Sequence, residues 1–537
     1  MRPAGPAWLT DALMLGVPAL VAMYVHVAAL AAFYSPDDLI LLERVCGIAP
    51  YPDTLWRLIS GRLFWVGFFP VFGPDPFAWH ALSLALHAVA TVLVGLFARR
   101  LGASRASTFL TAILFGATAR ARTVVWQVSG IGEILSLIAL LGVLLLLLAP
   151  RSALRTGLAG ALHAVGLLCK ETIGLGPLAL LFARDGSGAR RVSWRDLVLP
   201  LALTLGFAVY LVATRAQTGS LGGEAYATGI GRHVIDHLLT YALWSTDLVH
   251  LFARFGSPLP WPAALGAAAL LAALITFAWR SGSTPARVGL ALWFLLVLPV
   301  LFLRTAEYEH YVYAARAGWS LAFASALMAL VAGPRRGGGT GDRASAWITV
   351  LLVSALHVIT AVLFLGAMQN LRMPGSGMPR DTFLRKMEVA RNAAVGLEPG
   401  LPSTATRLVV YAPPGETVLF SVQTGRTVAE DDANEPRYTL IRAVLDEGRG
   451  LRALFPQLTD VRFDEHIAPA DTGAFISVNA AAGDIVPCGT GPEGHAAAAS
   501  FWSERGATQA ARTHLDEALQ LYPGSAVLVA ARQALGE

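Results

Sequence analysis

Hydrophobic residues run in long unbroken stretches through the first two thirds of the chain and then stop. A bilayer core needs about 20 apolar residues per helix, with a range of about 17–25. Stretches of this kind lie near residues 8–33, 77–98, 105–119, 131–149, 156–169, 172–184, 196–214, 261–279, 286–303, 317–333 and 346–367. They predict about eleven transmembrane helices. Three of them (105–119, 156–169 and 172–184) are short, so 105–119/131–149 and 156–169/172–184 could each be one helix broken by polar residues. The arginines decide between the two readings. With Arg2 and the N-terminus in the cytoplasm, Arg99, Arg100 and Arg105, then Arg151 and Arg155, then Arg184, Arg190, Arg191 and Arg195, then Arg280 and Arg287, then Arg335, Arg336 and Arg343 all fall in short cytoplasmic loops. Cytoplasmic loops favour such charge. Fusing either pair would send every later cluster across the membrane. An odd number of spans places the region after residue 367 outside the cytoplasm. The first stretch contains small residues at Ala28-Ala29 and Ala31-Ala32, but it is long and ten more follow, which predicts a retained anchor rather than a cleaved signal.

Beyond about residue 370 the pattern becomes that of a soluble domain. Residues 370–380, with Met373-Pro374-Gly375-Ser376-Gly377-Met378-Pro379, read as a linker. A short helix is predicted at 381–397. Strands are predicted at Arg407–Tyr411 and Thr417–Val422, split by the turn Pro413-Pro414-Gly415, and at Ala474–Val478, with a further helix at Ile441–Leu454. Residues 381–494 therefore predict a small α/β or α+β domain. Residues 495–537 return to helical periodicity. Trp502, Ala511, Leu515, Ala518 and Pro523 fall at tetratricopeptide spacing. One such unit cannot bury a core alone, and an ordinary helical hairpin capping the domain fits the same pattern. The fold class expected is an all-α polytopic membrane domain over 1–369, followed by the linker, the small extracytoplasmic domain and the hairpin.

Composition supports this picture. Hydrophobic residues make up 55% of the 537, charged residues 14%, and the mean hydropathy is +0.56. A soluble domain carries about 25% charged residues, so a water-soluble globule is excluded, and so is disorder, which needs low hydrophobicity. Three cysteines (Cys46, Cys169, Cys488) form no disulfide framework and no CxxC pair. The net charge of +5 does not point to nucleic acid, because the basic residues track the cytoplasmic loops. Only Lys170 and Lys386 among the cationic residues are lysine. This Arg-, Ala-, Gly- and Leu-rich usage suggests a GC-rich bacterial genome, and with it a bacterial inner membrane.

On the eleven-span topology the remaining charges collect on the extracytoplasmic side. Asp37 and Asp38 follow the first span, Arg120, Arg122 and Glu133 lie between the third and fourth, Lys170 and Glu171 between the fifth and sixth, and Arg304, Glu307, Glu309, His310 and Arg316 between the ninth and tenth. Ionisable groups at membrane depth are costly and usually face a bundle interior or a wet cavity. The adjacent acids Asp37-Asp38 suit a general base or a metal ligand, and equally suit capping the next helix. Lys170 is a compact charge suited to phosphate, or else a partner that neutralises Glu171. The stretch Arg304–Arg316 mixes acids, histidine and tyrosines suited to sugar or headgroup contacts, or to an aromatic belt at the interface. His233 and His237, at i,i+4, could flank a metal but have no evident third ligand. His80 and His87 share a helix face and are given no role. No Walker motif or HExxH occurs.

Taken in order, these segments resemble membrane glycosyltransferases of the GT-C type, and most of all the transmembrane-and-tetratricopeptide, protein O-mannosyltransferase-like proteins. The features are Asp37-Asp38 after the first span, Phe72-Gly73-Pro74-Asp75-Pro76-Phe77-Ala78-Trp79-His80 leading to His87, Trp126-Gln127-Val128-Ser129-Gly130 before Glu133, Lys170-Glu171 with Pro177, Glu309-His310-Tyr311-Val312-Tyr313, and the repeat-like tail. The resemblance covers about two thirds of the chain, with a gap at 190–300. It departs from the family around Thr118–Arg122, at His310 where an arginine is usual, and in having one repeat instead of an array. It implies a hexosyltransferase that takes a sugar from a polyprenyl-phosphate carrier at the extracytoplasmic face, usually with inversion, and passes it to a protein, glycan or lipid acceptor. It implies Asp37 or Asp38 as the base, and Lys170, Arg316 and Arg120 or Arg122 around the leaving phosphate. Glu133, Glu171, Glu309 and His310 join the same substrate-binding set. Dependence on a divalent metal, Mg or Mn, is left open. The rival class is a non-catalytic envelope transporter or scaffold, but no inverted repeat of the kind many transporters carry is visible.

Overall fold

In the computed structural model the described residues are 7–185, 187–218, 227–247, 261–304, 308–332, 340–372, 378–412, 440–480 and 484–536. The predicted strand Thr417–Val422, its turn at Pro413-Pro414-Gly415, and Glu307, Arg335 and Arg336 lie outside them.

The helices of the apolar region are, in chain order, α1 (Ala7–Val25), α2 (Pro36–Val45), α3 (Phe64–Phe72, entered through a π-helical turn at Leu58–Leu63), α4 (Pro76–Arg100), α5 (Arg105–Gly116), α6 (Arg122–Val125), α7 (Ile131–Leu148), α8 (Ala153–Cys169), α9 (Trp194–Thr218), α10 (Arg232–Ser245), α11 (Trp261–Arg280), α12 (Thr284–Leu301), α13 (Tyr313–Ala332) and α14 (Thr340–Asn370). Among the described residues, α4, α7, α9, α11, α12, α13 and α14 are long and apolar enough to cross a membrane. Shorter apolar helices lie at Asp11–Val25, Ile59–Phe72, Ala153–Cys169 and Glu171–Phe182.

Seven helices of spanning length thus stand where about eleven were expected. The stretch 105–119 forms only the 12 residues of α5. The stretch 172–184 is not an α-helix. Lys170 is extended (φ −159°, ψ 127°), and the chain then makes 3-10 turns at Glu171–Ile173 and Gly176–Phe182, where Gly174, Gly176 and Pro177 oppose an α-helix. The sequence reading also passed over Ile59–Phe72, which Gly61, Arg62, Gly67 and Pro70 interrupt.

The chain divides into two compact units. The first comprises Met1–Ala31, Pro52–Gly67 and Phe77–Gly366. Within it α12 and α13 cross at backbone contact. A Cβ added at Gly289 would lie 2.6 Å from the Gly318 carbonyl oxygen, and one at Gly318 would lie 2.4 Å from that of Gly289. Only glycine permits so close an approach. Ala106 and Leu110 of α5 pack with Ala324 and Met328 of α13 and Val350 of α14.

The second unit comprises Ala32–Tyr51, Phe68–Pro76 and Ala367–Glu537, so the segment holding Asp37 and Asp38 groups with the C-terminal region. It contains α15 (Thr382–Leu397), β1 (Arg407–Tyr411), α16 (Leu440–Val444), α17 (Arg449–Leu454), β2 (Asp460–Asp464), β3 (Phe475–Asn479), β4 (Ile485–Thr490), α18 (Gly491–Glu504), α19 (Thr508–Leu521) and α20 (Ala526–Ala534). The sheet order is β2-β1-β3-β4. β1 runs parallel to both neighbours and β4 antiparallel to β3. The single helix predicted at 441–454 is broken into α16 and α17 by Asp446, Glu447 and Gly448, all at positive φ. The hairpin is not a separate body. Trp502, Ala511, Leu515 and Ala518 share one core with Val409, Tyr411, Ile476 and Val478 of the sheet.

Candidate functional site

The ionisable residues singled out in the sequence of the first unit come together in pairs joined across long sequence separations. Lys170 ends α8 and Glu133 lies in the first turn of α7; its ammonium is 2.8 Å from the Glu133 carboxylate, and both side chains are 5% exposed. Lys170 thus has Glu133 as its ion-pair partner. Glu171 accepts from the Trp56 indole N–H at 3.2 Å. The chain is held at this point by Ser60, whose hydroxyl donates to the Cys169 carbonyl at 2.8 Å.

The second group forms around Glu309. Arg120 donates to one Glu309 oxygen, and Arg122 lies 3.5 Å from the other. Arg120 is 4% and Arg122 1% exposed. The break in helix between α5 and α6 places both guanidiniums. Thr118 caps the turn by accepting from the Arg120 N–H at 3.2 Å. Gly130 then allows the chain to double back, since a Cβ there would meet the Val124 carbonyl oxygen at 2.5 Å. Charged groups buried this deeply survive only when paired, and each pair here consists of one cation-bearing and one carboxylate-bearing segment.

Aromatic rings link the two groups. The Lys170 ammonium lies 5.5 Å from the centre of the Tyr311 ring. His310 stacks on Tyr308 with ring centres 5.3 Å apart and meets Tyr311 edge-on at 4.5 Å. Arg120 lies 5.5 Å over the Trp244 ring, a cation–π distance. Arg57, in the left-handed region at φ 53°, sits 4.5 Å over Trp56. A non-glycine residue held there is strained, which is common at functional sites.

Arg316 belongs to a third group. It is 2.5 Å from Asp247 and also donates to the carbonyls of Trp244 at 2.8 Å and Leu114 at 3.2 Å. Its charge is thus balanced and its two terminal nitrogens donate to protein atoms. Asp247 also accepts from the Thr118 hydroxyl at 3.0 Å and lies 3.6 Å from His357. Sequence reasoning missed Asp247, Trp56, Arg57 and His357. Asp247 and His357 are lone polar residues in apolar surroundings, which was the available signal. His87 bonds the Tyr313 hydroxyl and the Gly116 carbonyl, a packing role. His233 and His237 meet ring to ring at 5.6 Å. The described residues contain no group of three or more His, Cys, Asp or Glu placed to hold a metal ion.

In the second unit the two acids after the first span differ. Asp38 is fully buried and closes a capping box on α2. Its carboxylate accepts from the Ser35 N–H at 2.8 Å, and the Ser35 hydroxyl accepts from the Asp38 N–H at 3.3 Å. Asp37 is exposed. Burial pulls the Lys386 ammonium below its ordinary value, and the Asp37 carboxylate opposes that shift. Glu43, on the same helix, is pushed up to about 8, first by burial and then by Asp446, with Arg449 acting against both. The α2 helix packs on α17, where Gly450 lies close to Leu39.

No family model matches the chain, and no curated protein matches it. Among solved structures it is similar to the oligosaccharyltransferase of Archaeoglobus fulgidus in three structures, each at 12% identity. With the enzyme tethered to an acceptor peptide containing the NVT sequon, the match covers 86% of this chain and 64% of that one, with a TM-score of 0.46. With the same organism's AglB in complex with an inhibitory peptide and a dolichol-phosphate, it covers 75% and 62%, with a TM-score of 0.42. With the apo form it covers 66% and 56%, with a TM-score of 0.40. The chain thus spans less than two thirds of the length of each of these relatives.

Proposed function

We propose that this chain is a multi-pass membrane glycosyltransferase that moves a sugar from a polyprenyl-phosphate carrier to an acceptor hydroxyl on the extracytoplasmic side of a bacterial inner membrane. The observation that carries the reading is the buried network Lys170–Glu133 and Arg120/Arg122–Glu309. Its members come from segments up to 189 residues apart, and they sit at the ends of membrane helices, where charge is expensive and is usually kept for function.

In this mechanism the acceptor O–H gives its proton to a carboxylate, for which Asp37 is the candidate. The acceptor oxygen forms the new bond to the sugar C1 as the bond from C1 to the phosphate oxygen breaks on the opposite face, which inverts that carbon. The polyprenyl phosphate leaves with the bonding electrons. Lys170, Arg120 and Arg122 stabilise the charge that grows on it, as preoriented cations in a water-poor site do. Glu133 and Glu309 hold those cations in place, and Glu171 with His310 shapes the surrounding pocket. Arg316 is given a structural role, since besides its pair with Asp247 it donates to the backbone carbonyls of Trp244 and Leu114. Asp38 serves the helix cap, leaving Asp37 as the base. A divalent metal, Mg or Mn, joins the mechanism if it restores transfer to chelator-treated membranes. The α18–α19 hairpin is read as a tetratricopeptide-like element facing a protein acceptor.

The test is incorporation of labelled sugar from a panel of polyprenyl-phosphate sugars by membranes holding the protein, with Arg120→Gln and Lys170→Met at matched level. Transfer that falls about 100-fold or more in both variants is expected. Transfer no higher than in empty membranes for every donor would replace the enzyme with an envelope lipid or glycan transporter.

A further inference from the structure

The first unit holds a second site that the transfer reaction does not use. Between α10, α11, α13 and α14 lies a pocket of ≈ 610 Å³, counting its open mouth. Leu270, Phe323, Val353 and Leu356 make an apolar side, and Asp247, Arg316, His357 and Ser320 a polar one.

The polar end is built and nearly dry, with Asp247 5%, Arg316 2%, His357 9% and Ser320 1% exposed. Its charges cancel at 2.5 Å between Arg316 and Asp247, and two backbone carbonyls take further Arg316 donors. Among the described residues that line the pocket Arg316 is the one arginine or lysine and it is paired, and a phosphate or a carboxylate there would stand beside the Asp247 carboxylate at a like-charge cost. Hydrogen-bonding capacity, in contrast, is left over. Among the described residues the buried Ser320 hydroxyl and Arg316 Nε–H find no partner. Buried polar atoms in a native fold are normally satisfied by protein, water or ligand. Asp247 is held at φ 54°, a conformation that is strained for a residue other than glycine.

We infer that this pocket binds an uncharged lipid alcohol, with its hydroxyl between Ser320 and Arg316 and its hydrocarbon chain along Leu270, Phe323, Val353 and Leu356. The hydroxyl accepts from the Arg316 Nε–H and exchanges a hydrogen bond with Ser320, while the chain keeps the apolar wall out of water. The site stands whether or not the chain transfers a sugar.

The probe is a long-chain fatty alcohol bearing a photoactivatable diazirine, added to the purified full-length protein in detergent, with cross-links mapped by mass spectrometry. Labelling of the segments around Phe323 and Val353–Thr360 is expected. It should fall about tenfold in Leu356→Trp, which fills the pocket, and about two- to tenfold in Ser320→Ala, which removes one hydrogen bond. Excess unlabelled fatty alcohol should displace the probe, and a long-chain alkyl phosphate should not. Labelling elsewhere, or labelling that neither variant reduces, would overturn the inference. An alkyl phosphate that competes as well as the alcohol would overturn it too, by assigning the pocket to an anionic lipid. Should Leu356→Trp fail to fold, the isosteric Ser320→Ala decides the matter alone.

Discussion

The Lys170–Glu133 pair allows the structural and chemical duties of a buried charge to be measured apart. Both side chains are 5% exposed and their charged atoms are 2.8 Å apart. Removing one partner leaves the other charge buried and uncompensated, at a cost of about 3–5 kcal/mol, whereas replacing both with apolar residues of similar volume is often neutral or stabilising. Lys170→Met alone should therefore lower unfolding stability by about that amount, a large share of the roughly 5–15 kcal/mol that holds a typical protein together. The double variant Lys170→Met/Glu133→Leu should recover most of it. Denaturant or thermal unfolding in a single detergent gives the stability side of the cycle, and labelled-sugar transfer gives the other. If Lys170 stabilises a leaving phosphate, the double variant folds like the parent yet transfers about 100-fold more slowly or worse. A double variant that recovers both stability and transfer would refute the chemical role and leave Lys170 as a structural ion-pair partner.

Three further outcomes follow from the packing and from the C-terminal sheet. Gly289→Val should destabilise the α12–α13 crossing by about 1–3 kcal/mol or more, because its Cβ meets the Gly318 carbonyl at 2.6 Å; a shift in unfolding midpoint of the intact protein measures it, and an unchanged midpoint would mean the helices do not cross there. Tyr411→Phe should cost about 1.5–3 kcal/mol, since the Tyr411 hydroxyl donates at 2.8 Å to Asp471, which is also paired to Arg462 at 2.6 Å; hydrogen exchange of β1 and β3 amides reports it. The buried rings of His495 and His514 lie 3.1 Å apart, nitrogen to nitrogen. Burial lowers them to about 4 and about 3 respectively, with the Asp471 charge acting against this for His495 and the His495 ring adding to it for His514. Each folded value lies below its unfolded value of about 6.5, so the unfolded chain binds more protons as pH falls from about 6.5 toward 4. Stability around α18 and α19 should then drop by up to about 1.4 kcal/mol per pH unit for each ring. Faster exchange of α18 and α19 peptides in the full chain at pH 5 than at pH 7, lessened in His514→Gln, is the expected result, and pH-independent protection would contradict it.

What could be read from the sequence followed the strength of the local signal. Long uniform apolar runs such as 77–98, 131–149 and 346–367 appear as α4, α7 and α14 with nearly the expected bounds. The run 172–184, where Gly174, Gly176 and Pro177 fall within four residues, did not, because apolar character fixes burial but not backbone geometry. The strand Arg407–Tyr411 was legible from its β-branched run. Asp460–Asp464 was not, because its alternating charges hide a strand whose stability comes from pairing with β1. In the site, Lys170, Glu133, Arg120 and Glu309 stood out as charges in apolar surroundings, but the pairing Lys170–Glu133 was not read from the sequence. Arg316 and Asp38 were singled out for chemistry by type. The partner of Arg316, Asp247, is a contact that only the folded chain discloses, whereas Asp38 takes the helix-capping role that its position beside Ser35 also allowed.

The central claim rests most directly on Asp37. Its Asn variant keeps size and hydrogen bonding but cannot take a proton, and Asp38→Asn beside it alters only the residue that closes the helix cap. The measurement is incorporation of labelled sugar from polyprenyl-phosphate donors, in membranes carrying each variant at equal protein level. The account predicts that Asp37→Asn abolishes transfer while Asp38→Asn retains a measurable rate. Undiminished transfer by Asp37→Asn would contradict it.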